Sequence, residues 1–417
     1  MDKKIASQLE AYLPDTVYVL LQHIGKEAAY LKQDAYIVGG IVRDLFLKRP
    51  SFDIDIAVEH NAIDLARKLS DHDGLALREH IRFGTATLTY GSFSIDLATT
   101  RSEHYSKPGA LPIVNAGTIV DDLNRRDFSI NAMAIYISPK RFGELVDLHN
   151  GRHDIENKRV RILHNHSFID DATRMFRALR YEQRLHFLIE DVTLKSLKRN
   201  LDFIDTISGD RIRHEIELFF KEEYPELMLN RASDLGILRK LHQCLNNTQF
   251  WNQTFKRARQ TYKQNLSTLY WCLLLYELTN KEIKDVMLRL NPPKTIATAI
   301  LETSQLKAKL SYFNQPRLHP SDIYAALHGY STAAIQSNII AAKLPLIQKN
   351  LNFYISKLRY VKCSLDGDDL QQIGVTVGTR IGDILKRLHD ARLNGTIRSR
   401  KQEMELVYTL HPELRKQ

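Results

Sequence analysis

The fold of this chain is decided by the stretch Phe52-Asp53-Ile54-Asp55-Ile56-Ala57-Val58. Its apolar residues alternate with Asp53, Asp55 and Ala57, and a period of two predicts a β-strand with one apolar face. The same alternation puts both carboxylates on the opposite face, roughly 7 Å apart along the strand. Two carboxylates that close repel each other, so the pattern predicts a bound cation as well as a strand.

A glycine turn precedes this strand, in Val38-Gly39-Gly40-Ile41-Val42-Arg43-Asp44. We predict a strand over Ala35–Val38 and a short helix over Ile41–Leu47. Glycines let backbone N–H groups approach an anion closely, and Arg43 adds a charged fork for a phosphate. Carboxylate oxygens suit Mg²⁺, which completes its shell with water and phosphate. Together the two motifs predict a metal-dependent nucleotidyl-transfer site. Each motif alone is also typical of an ordinary turn or a solvated strand edge.

The composition is that of a globular chain with excess positive charge. The chain has 417 residues, 43% hydrophobic and 26% charged, and a net charge of +10. This excess favours a polyanionic partner such as nucleic acid. Cys244, Cys272 and Cys363 form no disulfide or zinc pattern, which is typical of a reducing cytoplasm. We expect neither a signal peptide nor a membrane-spanning segment.

Signals for strands and helices are distributed unevenly. We predict a hairpin of Thr85–Tyr90 and Phe93–Leu97 around Gly91-Ser92, then a long loop over 101–117. Beyond about residue 165 helical spacing dominates. Helices are predicted over 170–187, 192–200, 209–221, 266–278 and 338–351, with joints at Pro292-Pro293 and 314–320. The pattern predicts an α+β head, then an all-helical remainder that ends in a compact unit over Leu365–Tyr408.

Two segments add candidates to the predicted site. Asp96 lies on the strand Ser94–Leu97, opposite its apolar face. Beside the 52–58 strand it would be a third carboxylate at the metal, and the alternative is a solvent-facing aspartate. The segment Arg125–Ala134 begins with two arginines, whose planar donors suit a triphosphate. The alternative there is the exposed start of a surface helix.

A third segment predicts recognition of a base. Asp171 and Arg174 are three residues apart on a predicted helix and share a face, and Arg177 and Arg180 continue the row. A carboxylate accepts from an exocyclic amine, and an arginine donates to a ring nitrogen. Cytosine and adenine both offer that pair of groups, whereas uracil and guanine present the reverse and leave buried groups unpaired. The alternative is an ion pair on a solvated helix face.

These segments, in this order, resemble the motifs of the class II CCA-adding tRNA nucleotidyltransferases. The resemblance covers about residues 36–220, and its motifs are jointly specific. The matching stretches are Gly39-Gly40-x-x-Arg43-Asp44 with Asp53-x-Asp55, Arg125–Ala132, Asp147-x-x-x-Gly151-x-x-Asp154 ending in Val160-Arg161, Asp171-x-x-Arg174, and Asp210–Glu215. The last of these resembles the helix that braces the base-reading segment in the family. The chain departs from the family at Asp170, where a glutamate is usual.

The resemblance implies a polymerase-β-like nucleotidyltransferase head with a small mixed sheet (1–150). A helical neck that reads the base (151–225), a helical body (226–355) and a helical tail that binds tRNA (356–417) follow. It also implies that CCA is added to tRNA 3′ ends from CTP and ATP, with release of pyrophosphate. The implied metal is Mg²⁺ on Asp53 and Asp55; Asp96, from its place on the neighbouring strand, stays a candidate for a third catalytic acid. The implied nucleotide-binding residues are Gly39, Gly40, Arg43, Arg126, Asp171, Arg174, Arg177 and Arg180.

Several points stay open at the level of sequence. Arg398, Arg400 and Lys401 are candidate tRNA contacts in the tail, and each is also typical of a solvated charge run. We hypothesise that the 101–117 loop resets specificity from C to A. The alternatives to full CCA addition are a CC-adding or A-adding enzyme of the same class, a bacterial poly(A) polymerase, and a silent RNA-binding module. The number of copies in the assembly is also open.

Overall fold

The chain folds into two compact units. The computed structural model describes residues 3–50, 53–73, 75–90, 93–264, 266–375, 379–412 and 414. The first unit comprises Met1–Glu222 and Leu227–Lys240, and the second comprises Glu223–Glu226 and Leu241–Gln417. The first unit includes the predicted head and most of the predicted neck. The four-part division of the chain stays a prediction.

A mixed sheet forms the centre of the first unit. Its strands have the order β3-β4-β5-β2-β1-β8-β9. The strands of the chain are β1 (Ala35–Val38), β2 (Asp53–Val58), β3 (Ala76–His80), β4 (Thr85–Tyr90), β5 (Phe93–Thr99), β6 (Arg101–His104), β7 (Ile113–Ala116), β8 (Ala134–Tyr136), β9 (Leu145–Val146), β10 (Arg159–Val160) and β11 (Leu188–Ile189). Within the sheet β2 and β5 are parallel, and their register sets Asp55 opposite Asp96. Thr87 on β4 is also opposite Asp96.

The alternation seen in the sequence separates the two faces of the sheet. Ile54, Ile56 and Ile95 are buried, on the face covered by helices α2 (Asp15–Tyr30) and α4 (Ala62–Asp73). On the other face, the β1–β8 part packs against α5 (Ile119–Asn124). The β2–β5 part of that face, which carries the acidic residues, stays open. The period-two pattern therefore gives one buried face and one face available for chemistry.

In the part of the chain that the structure describes, two α-helices precede the sheet, three lie between its strands in sequence, and the others follow it. Up to residue 241 they are α1 (Lys3–Tyr12), α2, α3 (Gly40–Leu47), α4, α5, α6 (Gly151–Glu156), α7 (Ser167–Asp170), α8 (Thr173–Leu185), α9 (Asp191–Arg199), α10 (Gly209–Phe220), α11 (Pro225–Asp234) and α12 (Ile237–Leu241). The α+β head followed by a helical remainder is confirmed.

The second unit contains only helices among its described elements. They are α13 (Thr248–Thr261), α14 (Leu266–Leu274), α15 (Asn280–Leu290), α16 (Lys294–Lys307), α17 (Pro320–Leu327), α18 (Thr332–Ala341), α19 (Pro345–Ser356), α20 (Gly367–Gln372), α21 (Thr379–Leu393) and α22 (Arg400–Leu410). A separate apolar cluster, which includes Leu365, Leu388 and Val407, forms the core of the tail. Among the described residues, none of the helices has the length and apolar character needed to cross a bilayer.

Three predicted elements need correction. The loop over 101–117 is wrong at both ends, where β6 and β7 form an antiparallel ladder. The helix predicted over 170–187 is two helices, because Asp171 lies between α7 and α8 and accepts from the backbone N–H of Thr173. The helix predicted over 338–351 is also two helices, since Pro345 begins α19 after a break. Phe52 and the predicted turn at Gly91-Ser92 lie outside the described residues.

Candidate active site

Three carboxylates converge on the open face of the sheet. Ligand oxygens of Asp53, Asp55 and Asp96 all lie within 4.8 Å of one another. The Thr87 hydroxyl donates to Asp96 Oδ1 at 2.6 Å and fixes that side chain. Burial and the neighbouring charges of Asp53 and Asp96 raise the pKa of Asp55 to about 6, although Arg126 opposes the shift. This mutual repulsion is what a bound cation would relieve.

The donor set fits a hard divalent cation. Three carboxylates on two adjacent strands offer only oxygen ligands, which is the ligand type that Mg²⁺ selects. Asp53 and Asp96 are exposed and Asp55 is half-buried, so the open side of the cluster can complete the shell with water or phosphate. The geometry thus accommodates Asp96 beside the two predicted metal ligands.

The glycine turn leads from β1 into α3 next to these acids. Gly39 has φ +75°, and a Cβ at this position would lie 3.0 Å from Arg126 Nη1 and 3.6 Å from Asp55 Oδ2. Any other residue would therefore be strained and would displace Arg126. The buried Arg43 donates to both carboxylate oxygens of Asp44 and, through Nη1, to Asn131 Oδ1 at 2.7 Å. Its guanidinium is held in place before any ligand binds.

The two adjacent arginines face the cleft and not bulk water. Both pair with the buried Asp122, Arg125 at 2.7 Å and Arg126 at 2.8 Å. Burial alone would raise the pKa of Asp122, but the two guanidinium groups hold it below its usual range. Arg126 Nη1 also donates to the Asn131 carbonyl. The alternative of an exposed helix start is therefore wrong for this segment.

The predicted base-reading pair lies at the start of α8. Asp171 Oδ1 accepts from Arg211 Nη2 at 2.7 Å and from the N–H and hydroxyl of Thr173. The buried Arg174 donates to the Ser167 hydroxyl and to the Arg125 carbonyl, both at 2.8 Å. Each side chain is thus oriented by neighbours and not by the other member of the pair. The i,i+3 ion pair on a solvated helix face is absent from the described contacts.

Arg177 and Arg180 differ in their surroundings. Arg177 pairs with the buried Asp127 at 2.6 Å and donates to the Tyr181 hydroxyl. Arg180 lies 4.0 Å from Glu215 and 3.9 Å from Glu222, too far for hydrogen bonds. Burial raises the pKa of Glu215, and the charges of Arg177 and Arg180 only partly oppose this.

A single cavity of about 900 Å³ brings most of these residues together. The predicted residues that line it are Asp53, Asp55, Asp96, Gly39, Gly40, Arg43, Arg126, Asp171, Arg174 and Arg177. Arg180 is not part of the lining. The acids and the base-reading pair, at least 75 residues apart in sequence, therefore share one cleft.

Two residues that orient the site were missed at the sequence level. Asn131 orients Arg43, and Asp122 orients both arginines. The spacing of Asp122 from Arg125 and Arg126, at i+3 and i+4, is a signal that could have found it. Arg211, which orients Asp171 across forty residues, lies in the Asp210–Glu215 stretch that the resemblance implied as the brace of this segment.

The predicted RNA-binding residues lie in the second unit, around the start of α22. Arg398, Arg400 and Lys401 are all exposed. Arg400 is paired with Asp369 at 2.6 Å and donates to the Ser364 carbonyl, so it links α22 to the segment around α20. Arg398 and Lys401 are therefore better placed than Arg400 to meet a phosphate.

Two family models match the chain. The poly(A) polymerase head domain matches residues 35–161, which include the acidic strands and the arginine segment. A probable RNA and SrmB-binding site of polymerase A matches residues 186–247.

Curated relatives match along most of the chain. An A-adding tRNA nucleotidyltransferase of Halalkalibacterium halodurans is 30% identical over 93% of this chain and 91% of its own length. One of Geobacter sulfurreducens is 31% identical over 98% of this chain, which spans only 48% of that relative. A CCA-adding enzyme of Limosilactobacillus reuteri is 28% identical over 91% of this chain and 92% of its own length.

Solved structures agree with these relatives. An apo CCA-adding enzyme has a TM-score of 0.83 at 28% identity and covers 97% of this chain and 98% of its own. A CCA-adding enzyme in complex with ATP has a TM-score of 0.80 at 26% identity, with the same coverage. The Thermotoga maritima CCA-adding enzyme complexed with tRNA has a TM-score of 0.75 at 27% identity, again covering 97% and 98%. The chain therefore belongs to the class II tRNA nucleotidyltransferase family, which includes the CCA-adding enzymes.

Proposed function

We propose that this protein adds CCA to the 3′ end of tRNA from CTP and ATP without a nucleic acid template. One observation carries the proposal. The cavity that holds the three carboxylates also holds Asp171 and Arg174, the side chains suited to reading a base. Relatives and structural neighbours that act on tRNA, or that were solved with ATP or tRNA, support the same substrates.

The reaction is a displacement at the α-phosphorus of the nucleotide. The tRNA 3′-oxygen forms a bond to that phosphorus, the bond to the β-phosphate oxygen breaks, and pyrophosphate leaves. The proton of the hydroxyl passes to solvent. Arg43 and Arg126 neutralise charge on the triphosphate. Mg²⁺ held by Asp53 and Asp55, with Asp96, would supply Lewis-acid activation of the hydroxyl and charge neutralisation at the leaving phosphates.

The choice of base follows from the donors and acceptors of two side chains. Asp171 accepts from the exocyclic amine of cytosine or adenine, and Arg174 donates to the adjacent ring nitrogen. Uracil and guanine reverse that order, so their binding would leave buried polar groups unpaired. Arg211 and Ser167 hold the pair in position before the nucleotide enters. Because Asp171 and Arg174 are already oriented, the protein can discriminate between bases with little rearrangement of its side chains.

A second candidate is addition of the terminal A alone. The Halalkalibacterium and Geobacter relatives, at 30% and 31% identity, are both A-adding enzymes, whereas the Limosilactobacillus reuteri CCA-adding enzyme is 28% identical over a similar share of the chain. An A-adding enzyme would use the same acids and the same Asp171–Arg174 pair. The two activities differ in the RNA end that they accept.

Incorporation into defined tRNA ends tests the proposal. Transcripts that end at the discriminator base, or at the second C, are incubated with CTP and ATP separately and together. Full CCA addition predicts C, C and A followed by arrest on the first transcript. Extension of only the CC-ended transcript, by one A, identifies the A-adding enzyme.

Control reactions use the Asp53→Asn/Asp55→Asn double variant, which should incorporate nothing. Long A tails would identify a poly(A) polymerase. Binding of tRNA by the parent without incorporation would identify a silent RNA-binding module and refute the proposal.

A further inference from the structure

The connection between β3 and β4 presents apolar side chains to solvent beside the cleft. It is one turn of 3-10 helix, Ile81–Phe83. Ile81 is 69% exposed and Phe83 66% exposed, so the two together present apolar surface to solvent. His80, directly before this turn, lines the cavity, and so does Thr85 directly after it. The turn therefore forms part of the rim of the active-site cleft.

This rim is fixed to the strand that carries Asp96. Gly84 ends the turn with φ +61° and donates to the Ile81 carbonyl at 3.1 Å. Its own carbonyl accepts from the Thr99 N–H at 3.0 Å, at the end of β5. These backbone hydrogen bonds hold the position from which Phe83 projects in a fixed relation to the strand that carries Asp96.

The strand order places the rim on a defined side of the acidic cluster. The triphosphate side is formed by Gly39 at the end of β1 and by Arg126. The β5, β4 and β3 strands extend from the cluster in the opposite direction. Register pairs Thr87 with Asp96 and His80 with Thr85, so all four side chains are on the open face. The rim lies at the far end of that row.

The geometry of phosphoryl transfer indicates which substrate group lies on the β4 side of the acidic cluster. Attacking and leaving oxygens are roughly in line through the phosphorus. If pyrophosphate leaves toward Gly39 and Arg126, the attacking 3′-hydroxyl enters over Asp96, from the β4 side. The single-stranded end of the acceptor RNA then passes over the β4–β3 part of the open face.

We propose that Phe83, together with Ile81, is the stacking platform for a base at the 3′ end of the acceptor RNA. This inference rests on the proposed function and assigns the second substrate a place in the same site. Unpaired RNA bases stack on aromatic side chains without regard to sequence, which suits an end whose last base changes with each addition. Arg78 on β3 and the exposed Arg82 supply positive charge beside the platform for the RNA backbone.

The test uses the full chain and an RNA minihelix whose 3′-terminal nucleotide carries 2-aminopurine, a base whose fluorescence falls when it stacks. Addition of the wild-type protein should quench the probe, and Phe83→Ala should abolish this quenching. Phe83→Ala should also raise KM for the minihelix about tenfold, since base–aromatic stacking is worth about 1–3 kcal/mol per base. KM for the nucleoside triphosphate should be unchanged, and Phe83→Trp should restore both the quenching and the KM.

The matched control is Val19→Ala, which truncates an apolar side chain that is 61% exposed on α2, in the helical layer behind the sheet. It should leave the quenching and both KM values unchanged. If Phe83→Ala is indistinguishable from Val19→Ala while the wild type incorporates nucleotides, the platform is refuted and the proposed function stands. If the wild-type protein incorporates no nucleotide into RNA, the stacking platform and the proposed function are both refuted.

Discussion

At the scale of single residues, the site depends on one backbone conformation. Gly39 adopts φ +75° where β1 turns into α3, and a methyl group there would meet Arg126 Nη1 at 3.0 Å. Left-handed backbone costs a non-glycine residue roughly 1–2 kcal/mol. At Gly39 the added atom would also displace a guanidinium that faces the acids.

We expect Gly39→Ala to reduce kcat/KM for the nucleotide by more than about tenfold, because it combines strain with loss of the Arg126 position. The control is Gly395→Ala, where φ is +74° and no atom lies within 4 Å of the added Cβ. Both variants should lower Tm, but only the first should affect nucleotide kinetics. Equal activity in the two variants would contradict the role given to Gly39.

Arg211 is the subject of a second prediction about a single residue. It holds Asp171 Oδ1 at 2.7 Å and also donates to the Gly109 carbonyl in the segment between β6 and β7. Of the described contacts of the Asp171 carboxylate, Arg211→Ala should leave only those from the N–H and hydroxyl of Thr173. We expect incorporation of UTP and GTP relative to CTP and ATP to rise about tenfold, by loss of a partly buried charged hydrogen bond.

Competition assays with all four nucleotides measure this ratio directly. Arg213→Ala is the matched control, because Arg213 lies on the same helix and pairs there with Asp210 and Glu217. An unchanged ratio in Arg211→Ala would show that Asp171 is positioned without Arg211.

At the scale of elements, one ion pair joins the arginine segment to the neck. Asp127 lies in the loop after α5 and accepts from Arg177 on α8, Asn131 and its neighbour Phe128. Burial alone would raise the pKa of Asp127, but Arg177 and the hydrogen bond from Asn131 hold it below its usual range. The pair therefore stabilises the fold when the carboxylate is charged.

Asp127→Asn should lower the free energy of unfolding at pH 7 by about 2–4 kcal/mol, because Arg177 loses its charged partner. A depressed folded-state pKa contributes stability above the unfolded value of about 3.9, and this is lost as pH falls through the folded pKa. The difference between variant and parent should therefore shrink below pH 4. Urea unfolding of the parent and of Asp127→Asn at pH 7 and pH 3.5 measures this difference in the free energy of unfolding.

The control for this prediction is Glu144→Gln, which removes the acid of a solvent-accessible pair with Arg141, whose side chains are 43% and 40% exposed. It should change stability little at either pH. If Asp127→Asn and the parent differed by the same free energy of unfolding at both pH values, the dependence of stability on the charge of Asp127 would be contradicted.

Elements with strong local patterns were predictable and the others were not. The strand Ala35–Val38 and the start of the helix at Gly209 follow the predicted bounds closely, because apolar period and turn residues determine them locally. The β6–β7 hairpin was missed because its strand β7 is exposed throughout and gives no alternation. Asp171 was placed inside a helix because spacing alone cannot reveal that its carboxylate caps the next helix.

At the scale of the whole molecule, local sequence patterns could not predict that the residues of the site share one cleft. Asp55 and Asp171 are more than a hundred residues apart, and only the resemblance to a family predicted that they act together. The register that sets Asp96 opposite Asp55 likewise comes from strand pairing across the sheet. Local patterns identified the chemistry of each part, and the tertiary fold supplied their common location.

The excess positive charge of the chain leads to a prediction about RNA affinity. Arg398→Glu with Lys401→Glu should raise KM for tRNA several-fold at physiological salt, since both exposed side chains would meet phosphates. The dependence of this KM on salt should become shallower, and KM for ATP should not change. Arg400 is left intact because its pair with Asp369 contributes to the tail fold. An unchanged dependence of KM for tRNA on salt would show that Arg398 and Lys401 do not contact the RNA.

Base selection by protein side chains is tested most directly by single-turnover incorporation of each of the four nucleotides into a CC-ended tRNA, by the parent and by Arg174→Ala. We expect the parent to prefer ATP over UTP and GTP by more than about 100-fold. Arg174→Ala should lose most of that preference, and the Asp53→Asn/Asp55→Asn variant should lose incorporation of every nucleotide. Full discrimination in Arg174→Ala would contradict base selection by protein side chains.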